Sequence, residues 1–210
     1  MKNILCSIPV LAMLLALAGC CANDICVCND ALADALAFKF ELGGSTGFRP
    51  SQVDTFWIVR ITYPSAISPV GTAIVRDSVL RVLPLVISAS GDTTIATDLN
   101  SIVINNAAPF ASAGSTTKLS AYDYRINTYQ TISRGGSRII RRTSFLINNI
   151  KLSGKDDASG CCTCYENTGK QFDLSGQSYV GQTPVDTLPT LPKIVTAPVD
   201  APVVTLLTKR

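Results

Sequence analysis

Thr55-Phe56-Trp57-Ile58-Val59-Arg60-Ile61-Thr62-Tyr63 is the stretch that sets the fold class. Trp57, Val59, Ile61 and Tyr63 fall on one side of an extended chain. Phe56 and Ile58 fall on the other, where they give way to Arg60 and Thr62. Neighbouring side chains of a strand point to opposite faces. This period of two therefore predicts a strand with one core side and one partly covered side. Pro64 and Pro69 bound it.

The same period recurs in both directions. Upstream, Leu36, Phe38, Phe40 and Leu42 alternate and predict a first strand, followed by turn signals at Gly43-Gly44 and Gly47. Asp30 to Leu36 has the composition of one capped helical turn. Downstream, residues 71–88 predict two strands around Arg76-Asp77-Ser78. Ser90-Gly91-Asp92 turns into 93–97, and a short strand follows at 101–104. After a small-residue loop at 107–117, Lys118 to Thr128 alternates, with Tyr122, Tyr124 and Ile126 inward and Asp123 and Arg125 outward. Gly135-Gly136 is a hairpin signal. Arg138 to Leu152 predicts one bent strand or two, with Leu146, Ile150 and Leu152 on one face and Asn148 interrupting. Residues 153–160 read as a polar loop. Lys170 to Leu174 reads as a last strand, closed by a turn at Ser175-Gly176-Gln177.

About eight short strands with turns between them predict an all-β chain: an antiparallel β-sandwich, Ig-like or related, with a barrel as the alternative. The domain spans 36–182. From Thr183 the character changes, because Pro184, Pro189, Pro192, Pro198 and Pro202 interrupt every element. Residues 183–210 are expected to form a Pro-rich extended C-terminal tail, in which Val203 to Leu207 has the make-up of an edge strand.

Composition excludes several functions. Lys plus Arg number 18 against 15 Asp plus Glu, a net charge of +3, which is no nucleic-acid footprint. The chain has no histidine. That removes Ser-His and Cys-His nucleophile pairs, His-ligated metal sites and the commonest general base. Carboxylate or lysine chemistry has no motif pointing to it. No cofactor and no metal are expected.

The N-terminus carries an address. Lys2 precedes an apolar run from Ile4 to Ala18, which ends in Leu17-Ala18-Gly19-Cys20. A positive start, a short apolar stretch and small residues before a cut site are secretory features, and the run is short for a bilayer span. The four residues resemble the lipobox of bacterial lipoproteins. The resemblance implies that residues 1–19 are a signal peptide and that Cys20 becomes the acylated N-terminus, carrying palmitate-type chains. Residues 20–35 would be a lipidated tether.

Of the eight cysteines, Cys6 lies in the expected leader and Cys20 is the one that the lipobox resemblance implies is acylated. Cys21, Cys26 and Cys28 remain near the start, and Cys161, Cys162 and Cys164 near the end. Three against three in an oxidising compartment predicts disulfides. Bridges within Cys161-Cys162 or across Cys26-Val27-Cys28 would be strained, so pairing between the clusters is the economical arrangement. Free thiols are one alternative. A thiolate metal site is another, although its usual spacing is two to four intervening residues.

Two further stretches are similar to uncharacterised small envelope lipoproteins of the Bacteroidota type. One is Cys26-Val-Cys28-Asn29, continued by Phe38-Lys-Phe40, Gly47-Phe48 and Asp54 to Arg60. The other is Cys161-Cys-Thr-Cys-Tyr-Glu-Asn167 followed by Lys170 to Gly176. That resemblance implies no catalytic residues. It implies an outer-membrane lipoprotein on the periplasmic or cell-surface side, with the membrane and an envelope or surface complex as partners. Asp77-Ser78-Val79, Asp92-Thr93-Thr94 and Asp186-Thr187-Leu188 resemble the O-glycosylation motif of that phylum.

Three features are candidates for contact with a partner. Arg134, Arg138, Arg141 and Arg142 surround Gly135-Gly136 and are suited to an anionic glycan or phosphate, or simply to protecting an exposed edge. Trp57, Tyr122, Tyr124 and Tyr129 either line a sugar platform or fill the core. Asp156-Asp157 lacks the spaced oxygens of a calcium loop. The expected function is that of a lipid-anchored, non-enzymatic envelope component in a structural, accessory or adhesion role. The alternative is a glycan- or peptide-binding surface module.

Overall fold

The computed structural model describes residue 28 and residues 34–62, 74–87, 89, 91, 93–95, 101–110, 118–159, 162–195 and 204–208. Eleven strands run through them: β1 (Leu36–Phe40), β2 (Thr55–Thr62), β3 (Val75–Val82), β4 (Leu85–Ile87), β5 (Thr93–Ile95), β6 (Ile102–Ile104), β7 (Asp123–Arg134), β8 (Ser137–Ser159), β9 (Cys162–Val180), β10 (Thr183–Val195) and β11 (Val204–Leu207). Short 3-10 turns at Pro50–Gln52 and Leu119–Ala121 are the only helical elements among the described residues. The all-β sandwich holds, with more strands than the eight expected.

A six-stranded sheet in the order β10-β9-β8-β7-β2-β3 packs on a three-stranded sheet in the order β11-β1-β6, with β4-β5 as a separate hairpin. Every pairing is antiparallel except β1 with β11. Alternation decides what faces inward. Phe56 and Ile58 of β2, Tyr124 and Ile126 of β7, Phe145 and Ile147 of β8, and Phe172 and Leu174 of β9 meet Leu36, Phe38 and Phe40 of β1, Ile102 and Ile104 of β6, and Leu207 of β11. Phe40 lies edge-on to Phe48 at 5.4 Å and to Phe56 at 5.3 Å, and Phe38 meets Phe172 at 5.7 Å. Each ring contributes about 1.5–3 kcal/mol by burial and each edge-on pair ~0.5–1.5 kcal/mol more.

The strands of the large sheet run further than the sequence suggests. Residues 153–159, expected as a loop, continue β8 opposite Cys162–Gly169. Ser175-Gly176-Gln177, expected as a turn, lies inside β9. Arg76-Asp77-Ser78 lies inside β3, where Asp77 accepts from Arg60 at 2.7 Å. Residues 153–159 lie at the sheet's end and 76–78 in its edge strand, where main-chain pairing alone extends them, whereas 175–177 are held between β8 and β10 by pairing on both sides.

The break expected at residue 183 is not seen. Thr183–Val195 pairs with β9 and Val204–Leu207 with β1. Pro184, Pro189 and Pro192 are tolerated because β10 is an edge strand, where a missing N–H can face outward. A bulge in β8 corrects the face assigned to Leu146. Register shifts between Asn148 and Lys151, with Asn149 at φ 53°. Before it Leu146 and Asn148 face outward; beyond it Ile150 and Leu152 turn toward the core. The Gly135-Gly136 hairpin forms as read, with both glycines at positive φ.

Buried Tyr124 donates its hydroxyl to the Leu119 carbonyl at 3.4 Å. Burial raises its pKa well above the usual value; Arg60 lowers it in part and Tyr122 adds to the rise. In the unfolded chain this phenol ionises near pH 10, while in the fold it keeps its proton. Its contribution to stability is therefore complete below about pH 10 and is lost as pH climbs beyond it. Urea unfolding between pH 9 and 11 should show falling stability, with Tyr124→Phe flattening the decline by up to ~1.4 kcal/mol per pH unit.

Candidate functional site

Two regions concentrate the chemistry: the pole at the tip of the β8-β9 hairpin, and the outer face of the six-stranded sheet. At the pole, Cys28 and Cys164 form a disulfide with Cα atoms 5.4 Å apart and a sequence separation of 136. Cys162 is also disulfide-bonded. Cys20, Cys21, Cys26 and Cys161 lie outside the described residues too. The bridge that is described joins the two clusters, as the three-against-three count predicts.

Behind the bridge is a buried polar network that the sequence did not reveal. Asp34, Asn167 and Lys170 are all nearly inaccessible. Asn167 donates to Asp34 Oδ1 at 3.0 Å and Asn106 to Asp34 Oδ2 at 3.2 Å. The Asn106 side-chain oxygen accepts the Leu119 N–H at 2.7 Å. Lys170 Nζ donates to the Ala35 carbonyl at 2.7 Å. Burial lowers the pKa of Lys170, and the nearby Asp34 carboxylate works against that shift. Tyr165 shifts upward, first through burial and then through Asp34. Tyr165 lies across Gly154, where any Cβ would collide with its ring. The cysteine-rich motif thus serves the structure. Cys164 bridges, Tyr165 covers, and Asn167 and Lys170 hold the segment that leads into β1.

On the outer face, strand register lays side chains out in rows. Trp57, Asn127, Ser144, Gln177 and Thr187 stand side by side across β2, β7, β8, β9 and β10. One neighbouring row holds Val59, Arg125, Leu146 and Ser175; another holds Tyr129, Arg142, Tyr179 and Pro184. A groove of about 390 Å³ runs between them, lined by Arg125, Ser144, Leu146, Ser175, Gln177 and Tyr179 and walled by β10. The β10 wall rises where register shifts between Leu188 and Leu191.

Alternation divides the predicted arginine cluster. Arg138 and Arg142 take outer-face positions, and Arg142 stacks over Tyr179 at 4.2 Å. Arg141 takes the opposite face beside Gln52 and Gln130. The side chain of Arg134 lies outside the described residues. The aromatic set divides as well. Tyr124 is core and Tyr122 packs against it, with Arg60 over the Tyr122 and Phe110 rings at 4.6 and 5.0 Å. Trp57 and Tyr129 are exposed on the outer face. Asp156 lies opposite Tyr165 in a ladder rather than in a loop. No group of three potential metal ligands occurs among the described residues. Tyr179, Arg125 and Asn127 were missed by sequence reading. The only local signal was the outward phase of Arg125.

Compared with known proteins, the chain matches no family model, no curated protein and no solved structure.

Proposed function

We propose that the chain is a lipid-anchored, non-enzymatic component of the bacterial outer membrane, serving as an accessory or adhesion module. The Cys28–Cys164 bridge carries this reading. It ties the chain shortly after Cys20 to the tip of the β8-β9 hairpin. A lipid on Cys20 would then lie within ~30 Å of that pole. The Gly135-Gly136 turn stands at the other end of β8, whose 23 residues span at most ~75 Å. An anchored sandwich would be cross-linked at its membrane end and free at the other.

Two features support a role without catalysis. The chain has no histidine. The buried ionisable groups Asp34 and Lys170 are engaged in holding strands together.

Intact mass of the protein extracted from membranes tests the reading. The expected species starts at Cys20 and carries acyl chains, each buried CH₂ contributing ~0.8 kcal/mol to anchoring. Cys20→Ala should leave a precursor or a released protein. A retained Met1 or an unmodified Cys20 would overturn the proposal.

A further inference from the structure

We infer that the outer face of the six-stranded sheet is a binding site for an acidic oligosaccharide, seated in the groove between Trp57 and the β10 wall and held by Arg125 and Arg142. The inference goes beyond the anchoring role and does not depend on it.

Unpaired polar atoms point to a ligand here. The described residues contain three buried side-chain atoms without a hydrogen-bond partner: Asn127 Oδ1, Asn148 Oδ1 and Arg142 Nε. Register places all three on this one face. Asn127 is only 7% exposed and stands beside the groove-lining Ser144. A buried polar atom left unpaired costs ~1–3 kcal/mol. Asn127 and Arg142 stand beside Ser144 and Tyr179, which line the groove, and leave an acceptor and a donor next to it; Asn148 lies further along the face, opposite Asp173.

The lining sets the class of that partner. Ser144, Ser175, Gln177 and Thr187 offer hydroxyls and an amide, which suit the hydroxyl groups of a sugar. Trp57, at 37% exposure, and the exposed Tyr129 flank them with flat apolar surfaces suited to pyranose C–H faces. Arg125 is the one charged residue in the lining, with no carboxylate among its fellow lining residues, and Arg142 stands next to the lining Tyr179. Bidentate guanidinium contacts favour carboxylate, sulfate or phosphate groups. Arg125 and Arg142 lie four positions apart along their paired strands, roughly 13 Å. That exceeds one sugar ring and calls for a chain of sugars.

A peptide fits less well. Peptides that bind sheets usually extend an open edge by main-chain hydrogen bonding. This groove lies on a face, where the ladders on both sides already occupy the main chain, so a bound peptide backbone would stay unpaired.

The test uses the full-length chain in detergent. Trp57 is the only tryptophan, so its fluorescence reports directly from the site. Acidic hexasaccharides (uronate and sulfated) should change that fluorescence and bind at least tenfold more tightly than neutral hexasaccharides. Added salt should weaken the binding. Arg125→Gln with Arg142→Gln should cost at least tenfold in affinity, while Arg141→Gln on the opposite face should leave it unchanged. No binding of any acidic hexasaccharide overturns the inference. So does equal binding of neutral sugars or of hexaglutamate, or a double variant that binds like the parent. If the double variant does not fold, the acidic-against-neutral comparison on the parent chain decides.

Discussion

Replacing Cys28 and Cys164 together with serine is expected to lower the unfolding free energy by about 3–5 kcal/mol. The bridge closes a loop of 136 residues, and the chain-entropy model assigns ~5 kcal/mol to loops of this size. Total stabilities of domains are only about 5–15 kcal/mol, so the loss would be a large share. The double substitution avoids leaving one thiol to re-pair with another cysteine. Urea denaturation of the purified variant measures the effect. A change below about 1 kcal/mol would mean that the β8-β9 ladder and the Asp34 network already fix this pole without the bridge.

The second large effect is expected at Asp34. Asp34→Ala removes the acceptor of Asn106 and Asn167 and the nearest negative charge to Lys170. Breaking a buried charged network from one side costs about 3–5 kcal/mol, because the remaining groups stay buried without compensation. Asp34→Asn keeps one side-chain oxygen and should cost less. The pH dependence should change as well. The lowered pKa of Lys170 means that the unfolded chain binds its proton more tightly, so stability rises as pH climbs from that lowered value toward ~10.5. Without Asp34 that rise should begin at lower pH. Thermal unfolding across pH 7 to 10 would show it, and unchanged profiles would place the Lys170 charge outside the influence of Asp34.

The fold class was legible because the apolar residues of β1 and β7 alternate against one core and β2 is rich in aromatic and β-branched residues on both faces. The strand count and the ends were not. Residues 153–159 and 175–177 are polar on both sides, and nothing local distinguishes such an extension from a loop. The prolines of β10 read as breakers because a sequence does not announce which strand will lie at an edge. Asn149 at positive φ reverses the phase of everything after it, so Leu146 and Ile150 could not be assigned to opposite faces from spacing alone.

The site divides the same way. The inter-cluster bridge followed from counting cysteines and from their awkward close spacing. The Asp34 network did not, since Asp34 lay in a segment that resembled a helical turn and its partners come from 72 and 133 residues away. The groove depends on four strands meeting in register, a property of pairing that no single segment contains. The arginines looked like one patch in the sequence because Arg141 and Arg142 are neighbours, and a strand sends neighbours to opposite sides.

The place of Cys164 near the start of β9 has a mechanical consequence. Tension on the N-terminal end of the chain reaches Cys28 and crosses the bridge into β9. Tension from anything gripped at Gln177 or Tyr179 enters the same strand near its other end. The two pulls oppose each other along the strand axis. Because both act on β9, the load between them runs along its covalent backbone, and the ladders to β8 and β10 hold that strand in place while it is stretched. Without the bridge the pull would enter through five-residue β1 and its short neighbours. Placed where it is, the disulfide routes force around the three-stranded sheet and into the β8-β9 hairpin.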